Sequence, residues 1–461
     1  MKKFDTVVIG AGPGGYVSAI RLSQLGKKVA LIEEREIGGT CLNRGCIPTK
    51  ALLHVAEIIN NARKGEKLGI KVGGISVDFQ RVQQWIGQMV GRLRSGIEYL
   101  LKGYGVEVIK GHASFKSERS LLISPQGETI EGEAIIIASG STPSELPFAR
   151  PDLNRIITSD DVFKITSLPG ELVILGGGVI GVEMATAFSS LGTKVTIIEI
   201  MDQILPGYSD DLVLPIQSSL KKMGVQIRVG TKVALCDYSG DGSKVRVGTE
   251  DGAIFEGDYL LLSVGRRPNT KLLSLESAEV ETNEKGFIKV NGRMETTASG
   301  IFAIGDVVGL PFLAHRAMEE GYYLSEIIAG IRDEMPKLTM PSVVYTDPEI
   351  ATVGLDENEA TLAGFSPVVG KFPFAASGRS MTLGRAEGFF KIVGDSKTGR
   401  ILGAQIVGHG ASELIGELSL AISSSLTMED LEGAVHPHPT LSESIVEGTR
   451  LALGKPVHYR K

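Results

Sequence analysis

The chain is predicted to be α/β, with two doubly wound units and an α+β unit at its C-terminal end. Three observations carry this. A pattern of apolar run, glycine turn, helix, apolar run and acid occupies residues 6–33. The same pattern returns at residues 172–199. Towards the C-terminus, two apolar runs at residues 389–393 and 401–408 flank a polar turn and read as an antiparallel hairpin. At 461 residues the chain is too long for one hydrophobic core, so two to four domains are expected.

In the first pattern, Thr6 to Ile9 lead into Gly10-Ala11-Gly12-Pro13-Gly14-Gly15. A helix is predicted over Tyr16 to Gly26, then a strand over Val29 to Ile32 that ends in Glu33. Glycines let the backbone approach a pyrophosphate, the helix N-terminus offers free N–H groups, and the acid can accept from a ribose diol. In the second, Leu172 to Leu175 lead into Gly176-Gly177-Gly178-Val179-Ile180-Gly181, a helix runs to about Leu191, and Val195 to Ile198 end in Glu199. Gly10 to Gly176 and Glu33 to Glu199 are each 166 residues apart. Two complete Rossmann-like fingerprints in register imply two dinucleotide sites; the plainer alternative is one working and one vestigial fold. Strand ends at Ile135 to Gly140 and Leu260 to Gly265 match each other, and each closes on glycine near where a cofactor would lie. A buried strand ending in Gly305-Asp306 presents a carboxylate to a second ribose or a ribityl chain, or is a plain turn.

Cys41 and Cys46 lie in Gly38-Gly39-Thr40-Cys41-Leu42-Asn43-Arg44-Gly45-Cys46-Ile47-Pro48-Thr49-Lys50. Three cysteines in the chain exclude a disulfide-stapled secreted domain, and a loop this short gains little chain entropy from closure. The context points to a redox-active pair rather than two inert buried thiols. Residues five apart in an ideal helix are roughly 8–9 Å apart, more than a disulfide tolerates, so the backbone must be distorted, with Gly45 and Pro48 suited to it. Cys236 reads as an ordinary strand or core residue.

A net charge of −6 without a basic cluster argues against nucleic acid or a membrane surface as partner. Apolar runs such as Ala134 to Ala138 fall far short of the ~20 residues that cross a bilayer. The start superficially resembles a signal peptide, but Asp5 and the glycines break it, and it reads as strand and turn with no room for a transit peptide. A cytoplasmic location is the expectation. Seven histidines without a further ligand cluster make a metal site unexpected.

These motifs together resemble the pyridine nucleotide–disulfide oxidoreductases over essentially the whole chain, and within them the branch that oxidises dihydrolipoyl groups. The matching segments are Gly39 to Leu53, Gly176 to Glu183, Gly305-Asp306, Tyr345 to Gly354, and His436-Pro437-His438-Pro439-Thr440-Leu441-Ser442-Glu443. The resemblance implies an FAD-binding domain at 1–143, an NAD-binding domain at 144–270, a central domain at 271–340 that completes the FAD unit, and a dimerisation domain at 341–461. In the last, Phe389 to Val393 and Ile401 to Gly408 read as a hairpin around the turn Asp395 to Arg400.

It also implies the chemistry: a protein-bound dihydrolipoyl group is oxidised through the disulfide and FAD, and NAD⁺ is reduced. By resemblance Cys41 is the interchange thiol, Cys46 the thiol beside the flavin, His438 the base and Glu443 its orienting acid. Lys50 and Glu183 are expected to pair against the flavin, the positive charge favouring its reduced form. FAD is expected on Gly10, Gly12, Gly14, Gly15, Glu33, Thr40, Lys50, Ala113, Gly140, Asp306 and Ala314. NAD is expected on Gly176, Gly178, Gly181, Glu199, Val233 and Gly265. Partners implied are a second copy of the chain and lipoyl-bearing proteins of 2-oxoacid dehydrogenase or glycine cleavage complexes. Rivals are weighed on residues. Glutathione-reductase-like enzymes prefer NADPH through arginines after the second fingerprint, where Ile200-Met201-Asp202 follow Glu199. Mercuric reductases carry a C-terminal cysteine pair, and no cysteine follows Cys236. A non-enzymatic flavoprotein would need no His438–Glu443 dyad.

Overall fold

The computed structural model describes residues 2–152, 154–240 and 242–460. Strand Lys2–Ile9 is central to a seven-stranded sheet, parallel to Val29–Glu33 on one side and to Glu128–Ile137 on the other. The long strand Glu128–Ile137 changes partner along its length. Its first half pairs antiparallel with Ser120–Ser124, and its end pairs parallel with Ile301–Ala303. One sheet therefore takes strands from both sides of an inserted unit.

That insertion carries a five-stranded parallel sheet in the order Gln226–Arg228, Lys194–Ile198, Glu171–Leu175, Tyr259–Leu262, Ile156–Thr158. Its three central strands are rich in Val, Ile and Leu and largely buried on both faces, as parallel sheets require, while the edge strand Gln226–Arg228 is exposed at both ends. The repeat extends to register: Thr6 pairs with Val29 in the first sheet and Leu172 with Val195 in the second. The two crossovers joining the units, Ser141–Pro143 and Arg266–Pro268, pair antiparallel.

The C-terminal part is a five-stranded antiparallel sheet in the order Ser342–Val344, Glu349–Gly354, Ile401–Gly408, Phe389–Asp395, Pro367–Pro373, with helices Ala411–Ser423 and Glu443–Ala452. The hairpin read from sequence lies between its strands Phe389–Asp395 and Ile401–Gly408. The predicted first helix is displaced slightly, spanning Pro13–Gln24, because proline with no N–H suits the first helical position. No helix among the described residues is long and apolar enough to cross a membrane.

Candidate active site

The first glycine turn fits a dinucleotide. Gly10 sits at φ +98°, where an L side chain is strained, and a Cβ on Gly12 would meet open space. Helix Pro13–Gln24 begins there without a side-chain cap, so its first N–H groups are left for an anion. Glu33 accepts from the Ala11 and Arg35 N–H groups at 2.7 Å each, which holds its carboxylate beside the turn. At the second turn Gly176 has φ +108°, the space over Gly178 is again open, and Glu199 accepts from Gly177 N–H at 2.6 Å and Met201 N–H at 2.8 Å.

Helix Ala314–Ile328 runs beside Pro13–Gln24, in contact close enough that a Cβ on Gly321 would lie 2.5 Å from the Gly14 carbonyl. Ala314 thus starts a helix near the first turn, and Asp306 lies in the short 3-10 turn Gly305–Val308. Ala113 is buried in strand His112–Ser117, and Val233 is buried in Val233–Tyr238, so each can offer a ligand little but backbone. Gly140 and Gly265 both have positive φ with open space at the missing Cβ.

The cysteine segment packs onto the first turn. Gly38 N–H donates to the Ala11 carbonyl at 2.8 Å, and a Cβ on Gly39 would meet Gly12 Cα at 2.6 Å. Thr40 and Cys41 lie in the short helix Gly39–Asn43; Arg44 and Gly45 leave helical geometry, and a 19-residue helix starts at Cys46. The expected distortion is present, but Pro48 does not create it. Pro48 sits in the first turn of Cys46–Lys64, where a missing N–H breaks no helical bond, and the break belongs to Arg44 and Gly45.

Both sulfurs are thiols here, in hydrogen-bond contact. The Cys41 thiol donates to Cys46 and, with burial, this raises Cys41 well above the usual thiol range. The same bond, then the nearby Lys50 charge, lowers Cys46 to about 7, against burial and Glu183. Its place at a helix N-terminus favours the thiolate too.

Lys50 and Glu183 come together as expected: Nζ donates to Oε2 at 2.8 Å and Oε1 at 3.0 Å, with Glu183 only 4% exposed. The charge is held from a third side. Tyr345 N–H donates to Glu183 Oε1 at 3.0 Å, and the Tyr345 ring lies 4.5 Å from Lys50 Nζ. His438 Nδ1 donates to Glu443 Oε1 at 2.8 Å, while Thr440 N–H donates to the other oxygen. Burial would raise Glu443, but these hydrogen bonds outweigh it and hold the carboxyl below its ordinary range. The imidazole is 79% exposed. His436 pairs separately with Glu417 at 2.9 Å.

Sequence reasoning missed Tyr345 as a support of the Lys50–Glu183 pair, although it opens the Tyr345-Thr346-Asp347-Pro348-Glu349 segment already singled out. It also missed Glu320, which accepts from Gly305 N–H at 2.7 Å and from Arg316 Nε at 2.6 Å, holding the turn that carries Asp306. Burial raises the Glu320 carboxyl. The Arg316 and Glu320 spacing of four on a helix was the available signal. No group of three or more His, Cys, Asp or Glu suited to a metal occurs among the described residues.

Residues 4–321 match the pyridine nucleotide-disulphide oxidoreductase family, and residues 340–449 match its dimerisation domain. The chain belongs to this family. A dihydrolipoyl dehydrogenase of Thermus scotoductus is 44% identical over 99% of both chains. One of Bacillus subtilis is 41% identical over 99% of this chain and 98% of its own. A flavoprotein disulfide reductase of Escherichia coli has a TM-score of 0.88 at 32% identity, covering 98% of this chain and all of its own. As a family member the chain is an oxidoreductase that uses FAD and NAD, and its dimerisation domain makes it a homodimer.

Proposed function

We propose that the chain is a dihydrolipoyl dehydrogenase, oxidising protein-bound dihydrolipoyl groups and reducing NAD⁺. The observation that carries this is the placement of Cys46 at the N-terminus of helix Cys46–Lys64, one turn before Lys50, whose ammonium is held by the buried Glu183. Bound FAD would carry two electrons from the dithiol to the pyridine nucleotide, which takes them as hydride. The rest belongs to the chain's own residues. In the oxidised form a substrate thiolate attacks Cys41 Sγ, the Cys41–Cys46 bond breaks, and Cys46 departs as the better leaving thiolate. The second substrate thiol then attacks the substrate sulfur bound to Cys41, closing the substrate's own disulfide. Cys41 leaves as a thiolate and takes up a proton returned by His438, as its raised pKa favours, and the pair has gained the two electrons lost by substrate. His438 Nε2, free because Nδ1 serves Glu443, takes the proton of the attacking thiol.

On this reading residues 1–143 and 271–340 hold FAD, 144–270 hold NAD, and 341–461 pair with the second copy. The substrates are lipoyl groups on proteins of 2-oxoacid dehydrogenase or glycine cleavage complexes, and the setting is the cytoplasm. Reduction of NAD⁺ by free dihydrolipoamide is the direct test: wild-type turnover lost in Cys41→Ser supports it, and no turnover in flavin-replete protein overturns it.

We place His438 at the partner's disulfide, because its imidazole is exposed and it lies in the dimerisation domain. Cys41→Ser and His438→Ala homodimers should each be inactive. Dissociated and mixed, they form heterodimers with one intact site, so activity returns towards one half of wild type per heterodimer. Verified heterodimers with no gain would put His438 in its own chain's site.

A further inference from the structure

The two crossovers between the nucleotide-binding units are clasped by one buried side chain that the chemistry above leaves unused. Arg266, on the return crossover, is 11% exposed. Its Nε donates to Ser141 Oγ at 2.8 Å, and Nη2 donates to the Ser141 carbonyl at 2.8 Å, across to the outgoing crossover. Ser141 Oγ in turn donates to Asp306 Oδ2 at 2.5 Å. On its other side, Arg266 Nη1 lies 3.8 Å from Asp160 Oδ1, just past the edge strand Ile156–Thr158 of the second sheet. Asp160 Oδ2 is 3.3 Å from Arg44 Nε, between the two cysteines, and Arg44 also donates to Glu36 at 2.6 Å.

The two arms of this clasp differ. Towards Asp306 every link is a short hydrogen bond. Towards Asp160 the links are long, and both Asp160 Oδ1 and Arg44 Nε are buried without a hydrogen-bond partner. The crossovers are thus hydrogen-bonded to the first unit at Asp306, while on the Asp160 side they meet the second unit through a longer electrostatic contact. Lysine could not replace Arg266 here, since a single ammonium cannot span Ser141 and Asp160 as a guanidinium fork does.

We propose that Arg266 is a positioning residue for the pyridine-nucleotide half of the reaction, setting how the second unit presents its nucleotide to the first. This rests on the two-cofactor reading above. The thiol half should be spared, because Arg44 keeps Glu36 and Cys46 keeps Lys50.

The test uses Arg266→Lys holoenzyme in stopped flow, comparing flavin reduction by NADH with flavin reduction by dihydrolipoamide. Displacements of about 1 Å can slow a reaction a hundredfold, so the NADH rate should fall by roughly ten- to a hundredfold. Flavin content and the dihydrolipoamide rate should stay within about twofold of wild type, since Cys46 keeps its own partners. Equal falls in both rates would mark a merely structural role and overturn the proposal, as would an unchanged NADH rate. Should Arg266→Lys fail to retain flavin, Asp160→Asn removes the charge that Arg266 faces on the second unit, leaves the Ser141 and Asp306 links in place, and is read the same way. If dihydrolipoamide fails to reduce wild-type protein while NADH succeeds, the functional reading falls, yet the NADH rate still decides the role of Arg266.

Discussion

At the first glycine turn a Cβ on Gly15 would lie 1.8 Å from the Gly10 carbonyl; at the second, a Cβ on Gly181 would lie 2.0 Å from that of Gly176. Glu33 and Glu199 each accept from the N–H of the residue after the first glycine and from the residue two beyond themselves. The turns are copies, but the helices that leave them have different neighbours. Pro13–Gln24 spends its close-packing glycine, Gly14, on helix Ala314–Ile328. Val179–Leu191 is buried along nearly its whole length and packs on the cysteine-bearing helix Cys46–Lys64. At the position where the second helix carries Glu183, 166 residues earlier, the first carries Val17. A shared turn defines a dinucleotide site, and one changed helix position turns the second copy into the support of Lys50 and the thiols.

The largest effect should come from filling the tight glycine in each copy. Gly15→Ala forces a methyl onto a backbone carbonyl with no flexible neighbour to yield. The purified variant should be colourless or misfolded. Gly181→Ala should remain yellow but lose NAD⁺ reduction by about a hundredfold, a misplacement effect at the second site only. Flavin absorbance and NAD⁺ turnover on both proteins check this. A yellow Gly15→Ala or a colourless Gly181→Ala would break the assignment of the copies to different cofactors.

The next test sharpens the Val17–Glu183 difference. Cys46 has a pKa of about 7, lowered first by the Cys41 hydrogen bond and then by Lys50, and raised by burial and Glu183. In two-electron-reduced enzyme the thiolate absorbance at long wavelength should therefore grow as pH rises through about 7 and fade below it. Lys50→Met removes a favourable charge, so its midpoint should move up; Glu183→Val, which gives the second helix the first copy's residue type, should move it down. Each shift should be about one pH unit, worth roughly 1.4 kcal/mol. Shifts of the same sign in both variants would remove the two residues from control of the thiol.

The parts of this site that could be read from sequence are those in which neighbours in the chain are neighbours in space. Both fingerprints and the cysteine loop are of this kind, with spacings of a few residues or a repeat; the His438–Glu443 dyad, though its members are close in the chain, was assigned through the resemblance. Lys50–Glu183 was available only through the resemblance, since the residues are 133 apart. Arg266, Ser141, Asp160 and Arg44 were illegible for a physical reason. Each alone reads as an ordinary surface or turn residue, and only the folding of two crossovers onto one another buries them together. Pro48 misled because proline reads as a breaker, while the start of a helix leaves its missing donor unneeded.

The smallest predicted effect concerns the two acids themselves. Both carboxylates sit at the end of the second strand of their copy, but Glu199 is 6% exposed and Glu33 is less buried. A carboxylate at the ribose repels a 2′-phosphate, and the repulsion grows where water is excluded. Glu199→Gln keeps the acceptor oxygen for one N–H of the turn and removes the charge. NAD⁺ turnover should fall only a few-fold, while the preference for NAD⁺ over NADP⁺, measured as a ratio of kcat/KM, should shrink by about tenfold, or roughly 1.4 kcal/mol. The same change at Glu33 should leave that ratio untouched and instead weaken flavin retention, seen as faster loss of absorbance on dialysis. A changed NADP⁺ ratio in Glu33→Gln would mean that the two copies share one nucleotide preference, and the division of labour drawn from their neighbours would have to be abandoned.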